Sequence, residues 1–373
     1  MRVLIAPDGF KGSLDPGAAA TAIAEGWRAA RPSDELALLP LADGGDGLAR
    51  VLARAGDRWS EHEVVGPLGR PVTARLLERT DGLVVIESAQ ACGLHLVPES
   101  RRDPLVTTTY GVGQLLLAAV ATGAEHVLVG LGGSATVDAG LGALTAIGFR
   151  PRMADGSGLK IGGGELLGLD RIERGWAPDL KGIRIEVLTD VTTPLAEAAE
   201  VFGPQKGADA AAVEVLAEGL VRAAEVLERD LGGGERVREV AGTGAAGGLG
   251  FGLALGLGAA LVPGAARVAD LVGLASALAG ADLVVTGEGR LDATSATGKV
   301  VGHVHSLAAA ARIPVAVVAG QVAEDLGELG TGALLDAEAA APAGPGPAPG
   351  AEVAAAARRL AARLVVDGRA TGR

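Results

Sequence analysis

Short apolar runs alternate with Ala- and Leu-rich segments along most of this chain, and that alternation is the pattern of an α/β fold. Residues 3–6 and 36–41 have the composition of buried strands, and residues 16–30 between them are predicted to form a helix with a proline in its first turn. Residues 283–286 and 315–319 return to the character of parallel strands. We therefore predict that the two ends of the chain contribute to one parallel sheet.

The middle of the chain has a different pattern. Residues 63–65, 72–77 and 83–87 are short apolar segments separated by turns, as in β-hairpins. The elements predicted after them are a helix over 115–122, a strand from Val127, a strand over 185–188 and a long amphipathic helix over 211–231. This region is expected to form a second α/β domain inserted into the first.

We predict two domains, which is the default for a chain of 373 residues. The first is an α/β domain with a parallel sheet, formed by residues 1–60 and 267–373, and the second is an inserted α/β domain of residues 61–266. Residues 338–350, EAAAPAGPGPAPG, are predicted to be a Pro/Ala/Gly linker within the first domain, because they carry too little apolar bulk to pack. A final helix over 352–366 is expected to follow.

Composition excludes several classes of function. A net charge of −12 argues against nucleic acid or an anionic membrane as the main partner, and an aromatic content of 2% leaves no platform for stacked bases. A single cysteine, Cys92, and a start without a signal-peptide pattern predict a cytoplasmic protein. Residues 240–266 carry no charge and are long enough to span a bilayer, but their many glycines favour a buried loop and a core helix.

Residues 127–148, VLVGLGGSATVDAGLGALTAIG, combine a buried strand, a glycine loop and a helix of small residues. Backbone N–H groups in such a loop, hydroxyl groups and a helix N-terminus all favour an anion, most often a phosphate. The loop residues that we predict to bind ATP or substrate are Gly132, Gly133, Ser134, Thr136 and Asp138. The alternative is a tight turn that needs small residues for packing alone.

Charged and polar residues follow most of the predicted strands, where open α/β sheets place their binding sites. They are Asp8, Lys11 and Ser13 after the first strand, Asp43 and Asp46 after the second, and then Glu87, Ser88, Asp190, Lys206, Glu288, Arg290 and Asp292. A single Asp beside Gly is usually a turn residue. Several strand ends that each deliver a carboxylate with glycine, lysine or arginine nearby indicate a site.

This set of residues suits phosphoryl transfer. The reaction needs cations and amides around the phosphates, carboxylates to hold Mg²⁺ and a carboxylate that accepts a hydroxyl proton. The chain has no GxxxxGK[ST] sequence and no pair of HRD and DFG sequences, so the P-loop and protein-kinase folds are disfavoured.

Six motifs, in order along the chain, resemble the glycerate kinase type 1 family of bacterial enzymes, which phosphorylate glycerate with ATP. They are ADGGDG at 42–47, TTTYG at 107–111, GGSATVDAGLGAL at 132–144, VFGPQKGA at 201–208, AGGLG at 246–250 and TGEGRLD at 286–292. The resemblance implies a flavodoxin-like domain assembled from both chain ends, an inserted second domain, and the use of ATP and Mg²⁺. It also implies 2-phosphoglycerate, more than 3-phosphoglycerate, as the product.

The sequence departs from the family pattern in three places. Gly9 stands where the family commonly has Ser or Lys, and Thr193 stands in a shortened loop after Asp190 where the family usually has Asn. Beyond Gly332, the Pro/Ala-rich tail is expected to replace the usual strand and helix of the family.

Each group of candidate residues receives a predicted role. Asp190 is the predicted general base. The predicted cations for phosphate or carboxylate charge are Lys11, Lys206 and Arg290. The predicted metal ligands are Asp43, Asp46 and Asp292, of which Asp43 and Asp292 are also alternative bases. The predicted contacts of glycerate or ATP, besides the loop residues, are Asp8, Ser88 and Glu288.

Other interpretations of the sequence stay open. The enzyme could be a glycerate 3-kinase or could phosphorylate a related small hydroxy acid. Residues 130–135 fit the dinucleotide fingerprint GxGxxA and residues 242–247 fit GxGxxG, so an NAD-dependent oxidoreductase is the rival enzyme class. A non-catalytic nucleotide-binding module is a further alternative, and the sequence leaves the oligomeric state undecided.

Overall fold

The computed structural model describes residues 1–10, 12–180, 182–232, 237–296, 298–330, 334–340 and 350–366 of the chain. Parallel strands combined with helices make the protein an α/β protein, so the predicted fold class is confirmed. The chain divides into two compact units, one of Met1–Leu52 with Pro263–Arg373 and one of Ala53–Val262. We refer to them as the terminal unit and the inserted unit.

The strands in chain order are β1 (Arg2–Ile5), β2 (Glu35–Leu38), β3 (Arg58–Val65), β4 (Pro71–Glu78), β5 (Leu83–Glu87), β6 (His126–Gly130), β7 (Arg150–Arg152), β8 (Arg171–Glu173), β9 (Arg184–Thr189), β10 (Ala260–Pro263), β11 (Leu283–Leu291), β12 (Val315–Val322) and β13 (Leu334–Ala339). The α-helices are α1 (Pro16–Ala30), α2 (Leu48–Leu52), α3 (Ala89–Cys92), α4 (Tyr110–Ala121), α5 (Leu141–Ile147), α6 (Ala198–Phe202), α7 (Ala210–Leu231), α8 (Ala245–Leu257), α9 (Gly264–Val272), α10 (Leu274–Leu278), α11 (Val300–Ala311) and α12 (Gly350–Val366).

A five-stranded sheet in the order β13-β12-β11-β1-β2 forms the centre of the terminal unit, and its neighbouring strands pair in parallel. β1 lies between β2 and β11, which places Val3 opposite both Leu36 and Leu283. β1, β11 and β12 are buried along most of their length, as expected for central strands of a parallel sheet. Because parallel strands end at one edge, the segments after β1, β2 and β11 lie side by side.

Helix α1 begins where the sequence predicts. The Asp15 side chain accepts the N–H of Ala18 at 2.8 Å, and a proline occupies the first turn. The buried face of α1, which includes Ile23 and Trp27, packs against α12. The two helices approach so closely at Gly26 that a Cβ atom there would lie 1.9 Å from a carbonyl oxygen of α12.

The tail contains a strand and a helix, although the Pro/Ala-rich segment was expected to replace those of the family, and α12 agrees with the final helix predicted over 352–366. Glu338 lies in β13 and Gly350 begins α12, so the predicted linker over 338–350 is wrong at both ends. Residues 341–349 lie outside the described residues. Arg359 of α12 donates to the Glu338 carboxylate at 2.8 Å. The prediction failed because it required bulky side chains for packing, whereas α12 packs mainly through alanine.

The inserted unit contains a six-stranded mixed sheet in the order β10-β9-β6-β5-β4-β3. β3, β4 and β5 pair antiparallel, as the predicted hairpins require, whereas β5, β6 and β9 pair in parallel. A separate antiparallel pair joins β7 to β8. Val127, Val129 and Val187 of the central strands are fully buried in a core that also contains Leu116 and Phe251.

The uncharged segment 240–266 forms a turn, α8, β10 and the beginning of α9. Within α8, Ala246, Gly247 and Gly248 have positive φ angles of 52°, 65° and 89°, so the chain changes direction there. Among the described residues, no helix is both long and apolar enough to cross a membrane.

We expect Gly26→Ala to destabilise the terminal unit by about 1–3 kcal/mol, because the added methyl group must push α1 and α12 apart. The matched control is Gly17→Ala in the same helix, where the glycine is exposed and the nearest atom to an added Cβ is a side-chain oxygen at 3.4 Å. Alanine there should be neutral or stabilising by about 0.5–1 kcal/mol. Denaturant unfolding of the two variants measures both changes, and equal stabilities would contradict the close packing.

Candidate active site

The carboxyl edge of the five-stranded sheet brings together three predicted site residues. Asp8 follows β1, and its backbone N–H donates to a carbonyl oxygen of β11 at 2.8 Å. Leu41, shortly before Asp43, donates its backbone N–H to the carbonyl oxygen of Pro7 at 2.9 Å. The Asp8 backbone therefore lies between the segments that carry Asp43 and Glu288.

The carboxylates at this edge close local turns. One oxygen of Asp8 accepts the N–H of Gly9 at 2.7 Å, and one oxygen of Asp43 accepts the N–H of Gly45 at 2.9 Å. Asp46 lies farther along the same turn and is exposed. The turn interpretation therefore fits Asp43, and it is compatible with a second role because a carboxylate has two oxygens.

The same edge offers oxygen ligands that suit Mg²⁺. Within the described ranges, no group of three or more His, Cys, Asp or Glu side chains lies close enough to hold a metal ion. Mg²⁺, however, keeps most of its waters and needs only one or two carboxylates beside the phosphates of a substrate. The residues present fit that requirement. Magnesium binding by Asp43, Asp46 and Asp292 stays a prediction.

β11 extends farther than the sequence predicts, so Glu288 and Arg290 are strand residues. Arg290 donates to Asp292 at 3.2 Å, and Asp292 also accepts the backbone N–H of Thr294 at 3.0 Å and its hydroxyl at 2.6 Å. The hydrogen bonds from Thr294 hold the pKa of Asp292 below its usual value. Asp292 is therefore ionised at neutral pH, as a metal ligand must be. Lys11 lies outside the described residues.

Residues 131–140, which we call the glycine loop, follow β6 in the inserted unit. The carbonyl oxygen of Gly133 accepts the N–H of Leu94 at 2.8 Å, and Ala135 donates its N–H to the carbonyl oxygen of Cys92 at 2.7 Å. These bonds hold the loop against the segment after α3. Gly133 is exposed and has a φ of 75°, and Gly132 is partly exposed, so the tip of the loop is accessible to a ligand.

Asp138, which the sequence analysis predicted to bind ATP or substrate, is buried within the inserted unit. α5 begins only at Leu141 and has seven residues. The Asp138 carboxylate is 1% exposed and accepts the N–H and the hydroxyl of Thr109 at 2.8 and 2.9 Å and the N–H of Gly140 at 3.1 Å. Burial raises the pKa of Asp138, although these hydrogen bonds act in the opposite direction. The Asp138 side chain therefore faces the protein interior, and the binding of a phosphate or another anion by the glycine loop stays a prediction.

Lys206 also holds the glycine loop in place. It lies in a short turn after α6, and its ammonium group donates to the carbonyl oxygen of Thr136 at 2.7 Å and to the hydroxyl of Ser134 at 3.1 Å. Because the residue is only 3% exposed, burial lowers the pKa of Lys206 to about 8, although Cys92 and Asp138 favour its charged form. The predicted cation is present, but its described contacts are with the loop.

Cys92 and Ser88 belong to the interior behind the glycine loop. Burial and the charge of Asp138 raise the pKa of the Cys92 thiol to about 12, which excludes a nucleophilic thiolate at neutral pH. Ser88 follows β5, and its side chain is fully buried. Direct contact of Ser88 with a ligand stays a prediction.

Asp190 directly follows β9 and is partly buried. The loop after it is packed against the turn before α8, where the N–H of Gly244 donates to the carbonyl oxygen of Thr193 at 3.0 Å. The first turn of α8 contacts the glycine loop, because the N–H of Ala139 donates to the carbonyl oxygen of Gly247 at 3.0 Å. The structure therefore brings the Asp190 loop and the glycine loop to the same edge of the sheet.

The sequence analysis assigned no role to two pairs of residues at this edge of the inserted unit's sheet. Thr107 donates its hydroxyl to the carbonyl oxygen of Ala135 at 2.8 Å, and Thr109 binds Asp138 as described above. Ala139 and Ala246 both have a φ of 52°, which is unfavourable for residues with a side chain and is often found at functional sites. The available signals were the TTTYG and AGGLG runs, which marked the segments without showing these contacts.

The structural context of a dinucleotide fingerprint is missing at both candidate segments. The fingerprint requires a helix that starts within the glycine turn, whereas α5 starts at Leu141, well beyond residues 130–135. Residues 242–247 follow a 3₁₀ turn (Val237–Glu239) instead of a strand. The NAD-dependent alternative therefore has no support in the local geometry.

Carboxylates, hydroxyls and cations at the carboxyl edges of parallel strands are typical of α/β enzymes. The model of the glycerate kinase family matches residues 3–365, and the chain belongs to this family. The resemblance found in the sequence is thus confirmed.

The alignments with known relatives cover most of this chain and most of each relative. The chain is 43% identical to the glycerate kinase of Bacillus subtilis over 331 residues, which is 87% of this chain and 86% of the relative. It is 39% identical to the glycerate 2-kinase of Escherichia coli over 333 residues, with coverages of 88% and 87%. A crystal structure from Salmonella typhimurium, assigned as glycerate kinase 2, superposes with a TM-score of 0.81 at 39% identity over 99% of both chains.

The lowered pKa of Lys206 predicts how stability depends on pH. Between about pH 8 and pH 10.5 the unfolded chain binds more protons at this residue than the native protein does, so stability rises with pH in that window. We expect the stability of the wild type relative to Lys206→Met to increase from pH 8 to pH 10. Thermal unfolding at several pH values measures the difference.

The control for this experiment is Lys160→Met, which removes an exposed lysine of the same unit. The difference between the wild type and this variant should stay nearly constant over the same range. A constant difference for Lys206→Met as well would show that Lys206 is not buried as described.

Proposed function

We propose that this protein catalyses the ATP-dependent phosphorylation of D-glycerate to 2-phosphoglycerate. The observation that carries the proposal is the match of the glycerate kinase family to residues 3–365. The relative named glycerate 2-kinase supports the 2-phosphoglycerate product. The carboxylates at both sheet edges and the exposed glycine loop supply the kinds of groups that phosphoryl transfer needs.

In the proposed reaction, the C2 hydroxyl oxygen of glycerate attacks the γ-phosphorus of ATP, and the bond to the oxygen that leaves with ADP breaks. Asp190 accepts the hydroxyl proton, because it is a carboxylate at a strand end beside the glycine loop. The exposed amides of Gly132 and Gly133 bind an anionic group of a substrate. Arg290 and Lys11 would neutralise phosphate charge.

The proposed metal ligands are Asp43 together with Asp46 or Asp292. When bound, Mg²⁺ would neutralise charge on the phosphates and help to orient them. Asp43 offers the second oxygen of a carboxylate whose first oxygen is held in a turn, which would fix its orientation.

Lys206 and Asp138 receive positioning roles in this proposal. Both side chains are nearly inaccessible, and their described hydrogen bonds hold residues in or beside the glycine loop. Their function would be to keep the amides at the tip of the loop in a fixed orientation before substrates bind, which is a general requirement of efficient electrostatic catalysis.

The product decides between the proposal and its alternatives. Purified protein with D-glycerate, ATP and Mg²⁺ should give 2-phosphoglycerate, identified by ³¹P and ¹H NMR. EDTA should abolish turnover, and added Mg²⁺ should restore it. Formation of 3-phosphoglycerate would overturn the regiochemistry alone. Absence of turnover, combined with stabilisation by NAD and not by ATP, would overturn the kinase assignment.

Asp190→Asn tests the proposed base. Loss of the proton acceptor should reduce kcat by about 10²–10⁴-fold and leave both KM values within a few-fold of the wild type. The matched control, Asp155→Asn, removes an exposed carboxylate of the same unit that caps a turn, and it should keep wild-type kcat. Steady-state kinetics compare the variants. A wild-type kcat for Asp190→Asn would show that another group accepts the hydroxyl proton, with Asp43 and Asp292 as the next candidates.

A further inference from the structure

Arg102 connects two segments of the candidate site in the inserted unit. The segment that begins at Arg102 leads to Thr109, whose N–H and hydroxyl donate to Asp138 of the glycine loop. On the other side, Arg102 contacts the residue after Lys206, because a Cβ atom on Gly207 would lie 2.3 Å from the carbonyl oxygen of Arg102. The Arg102 backbone is thus close to the turn that carries Lys206, which holds the glycine loop.

The guanidinium group of Arg102 contains one donor that has no acceptor among the described residues. Its Nε atom is buried, and it has no hydrogen-bond partner in the part of the chain that the structure describes. Buried donors are nearly always paired in native proteins, since leaving one without an acceptor is unfavourable. An acceptor from a bound molecule would remove this cost.

Two other buried polar side chains of this edge, Lys206 and Asp138, are already hydrogen-bonded within the protein. Lys206 donates to Thr136 and Ser134, and Asp138 accepts from Thr109 and Gly140. Both substrates of the proposed reaction are anions, and the chain as a whole has a net charge of −12, so they need a local cation. Arginine suits this task because its planar group can donate two parallel hydrogen bonds to a carboxylate or a phosphate.

We propose that Arg102 binds an oxyanion of a substrate, either the carboxylate of glycerate or a phosphate of ATP. The inference rests on the proposed function and names a residue of that site which the sequence analysis did not. Arg102 touches the bound anion directly and would act mainly on substrate affinity, with a smaller effect on the chemical step.

The test compares Arg102→Gln and Arg102→Lys with Arg101→Gln, a control that removes the adjacent, exposed arginine. Steady-state kinetics with each substrate varied should show a rise of about 10- to 100-fold in one KM for Arg102→Gln, the size of a lost hydrogen bond to a charged group. Arg102→Lys should recover part of this loss, and Arg101→Gln should match the wild type. A rise in the KM for glycerate identifies the carboxylate as the ligand, and a rise in the KM for ATP identifies a phosphate.

Unchanged KM values for Arg102→Gln would overturn the inference, as would a lower kcat with both KM values retained. A rise in both KM values together with a lower melting temperature would also overturn it, because that pattern indicates a structural effect. If Arg102→Gln does not fold, the comparison is made with Arg102→Lys, whose KM must then exceed the wild-type value at an unchanged melting temperature.

Ligand-induced thermal stabilisation separates this inference from the proposed function. Glycerate, ADP and inorganic phosphate are each added to the wild type and the variants without turnover. Loss of stabilisation in Arg102→Gln but not in Arg101→Gln supports the oxyanion site even if the wild type lacks glycerate kinase activity. Equal stabilisation of the three proteins overturns the inference even if the wild type is active.

Discussion

Two buried side chains, Asp138 and Lys206, hold the residues in and beside the glycine loop, and the geometry of the carboxyl edge of the inserted unit depends on them. Asp138 holds Thr109 and Gly140, whereas Lys206 holds Thr136 and Ser134. Burying an ionised group is costly unless it is paired and hydrogen-bonded, and these networks meet that requirement. Their contribution is therefore better understood as a fixed loop geometry than as net stability, because a buried charge pair often gains little over apolar packing.

Most of the fold could be predicted because its signals are local. The start of α1 depends on Asp15 and Pro16, and β5 is bounded by turn residues on one side and by Ser88 on the other. The final helix over 352–366 was also predicted, but the extent to which the tail packs could not be predicted in the same way. Whether an alanine-rich segment packs depends on how closely another helix can approach it, and that distance is set by Gly26 in a segment more than 300 residues earlier.

The sequence predicted where the candidate site residues lie better than it predicted what they contact. The strand ends placed Asp8, Asp43 and Glu288 at one edge, since the strands of a parallel sheet all end at the same edge. The pattern could not show that the carboxylate of Asp138 faces inward, because a loop of glycine and small residues can direct its amides toward either a ligand or its own side chain. Arg102 was missed for a similar reason, since an arginine in a polar turn has no local signature of burial.

The order of the strands in the terminal unit has a consequence for the newly made chain. β1 and β2 are synthesised first, but β1 pairs in the finished sheet with β11, which is made some 280 residues later. The inserted unit contains its own sheet and core within one continuous stretch and can fold as soon as it leaves the ribosome. Until β11 and α12 have been synthesised, the apolar faces of β1 and α1 stay exposed. The terminal unit is therefore the one that would rely on chaperones in a growing cell. The order of synthesis thus allows the inserted unit to form before the sheet of the terminal unit can be completed.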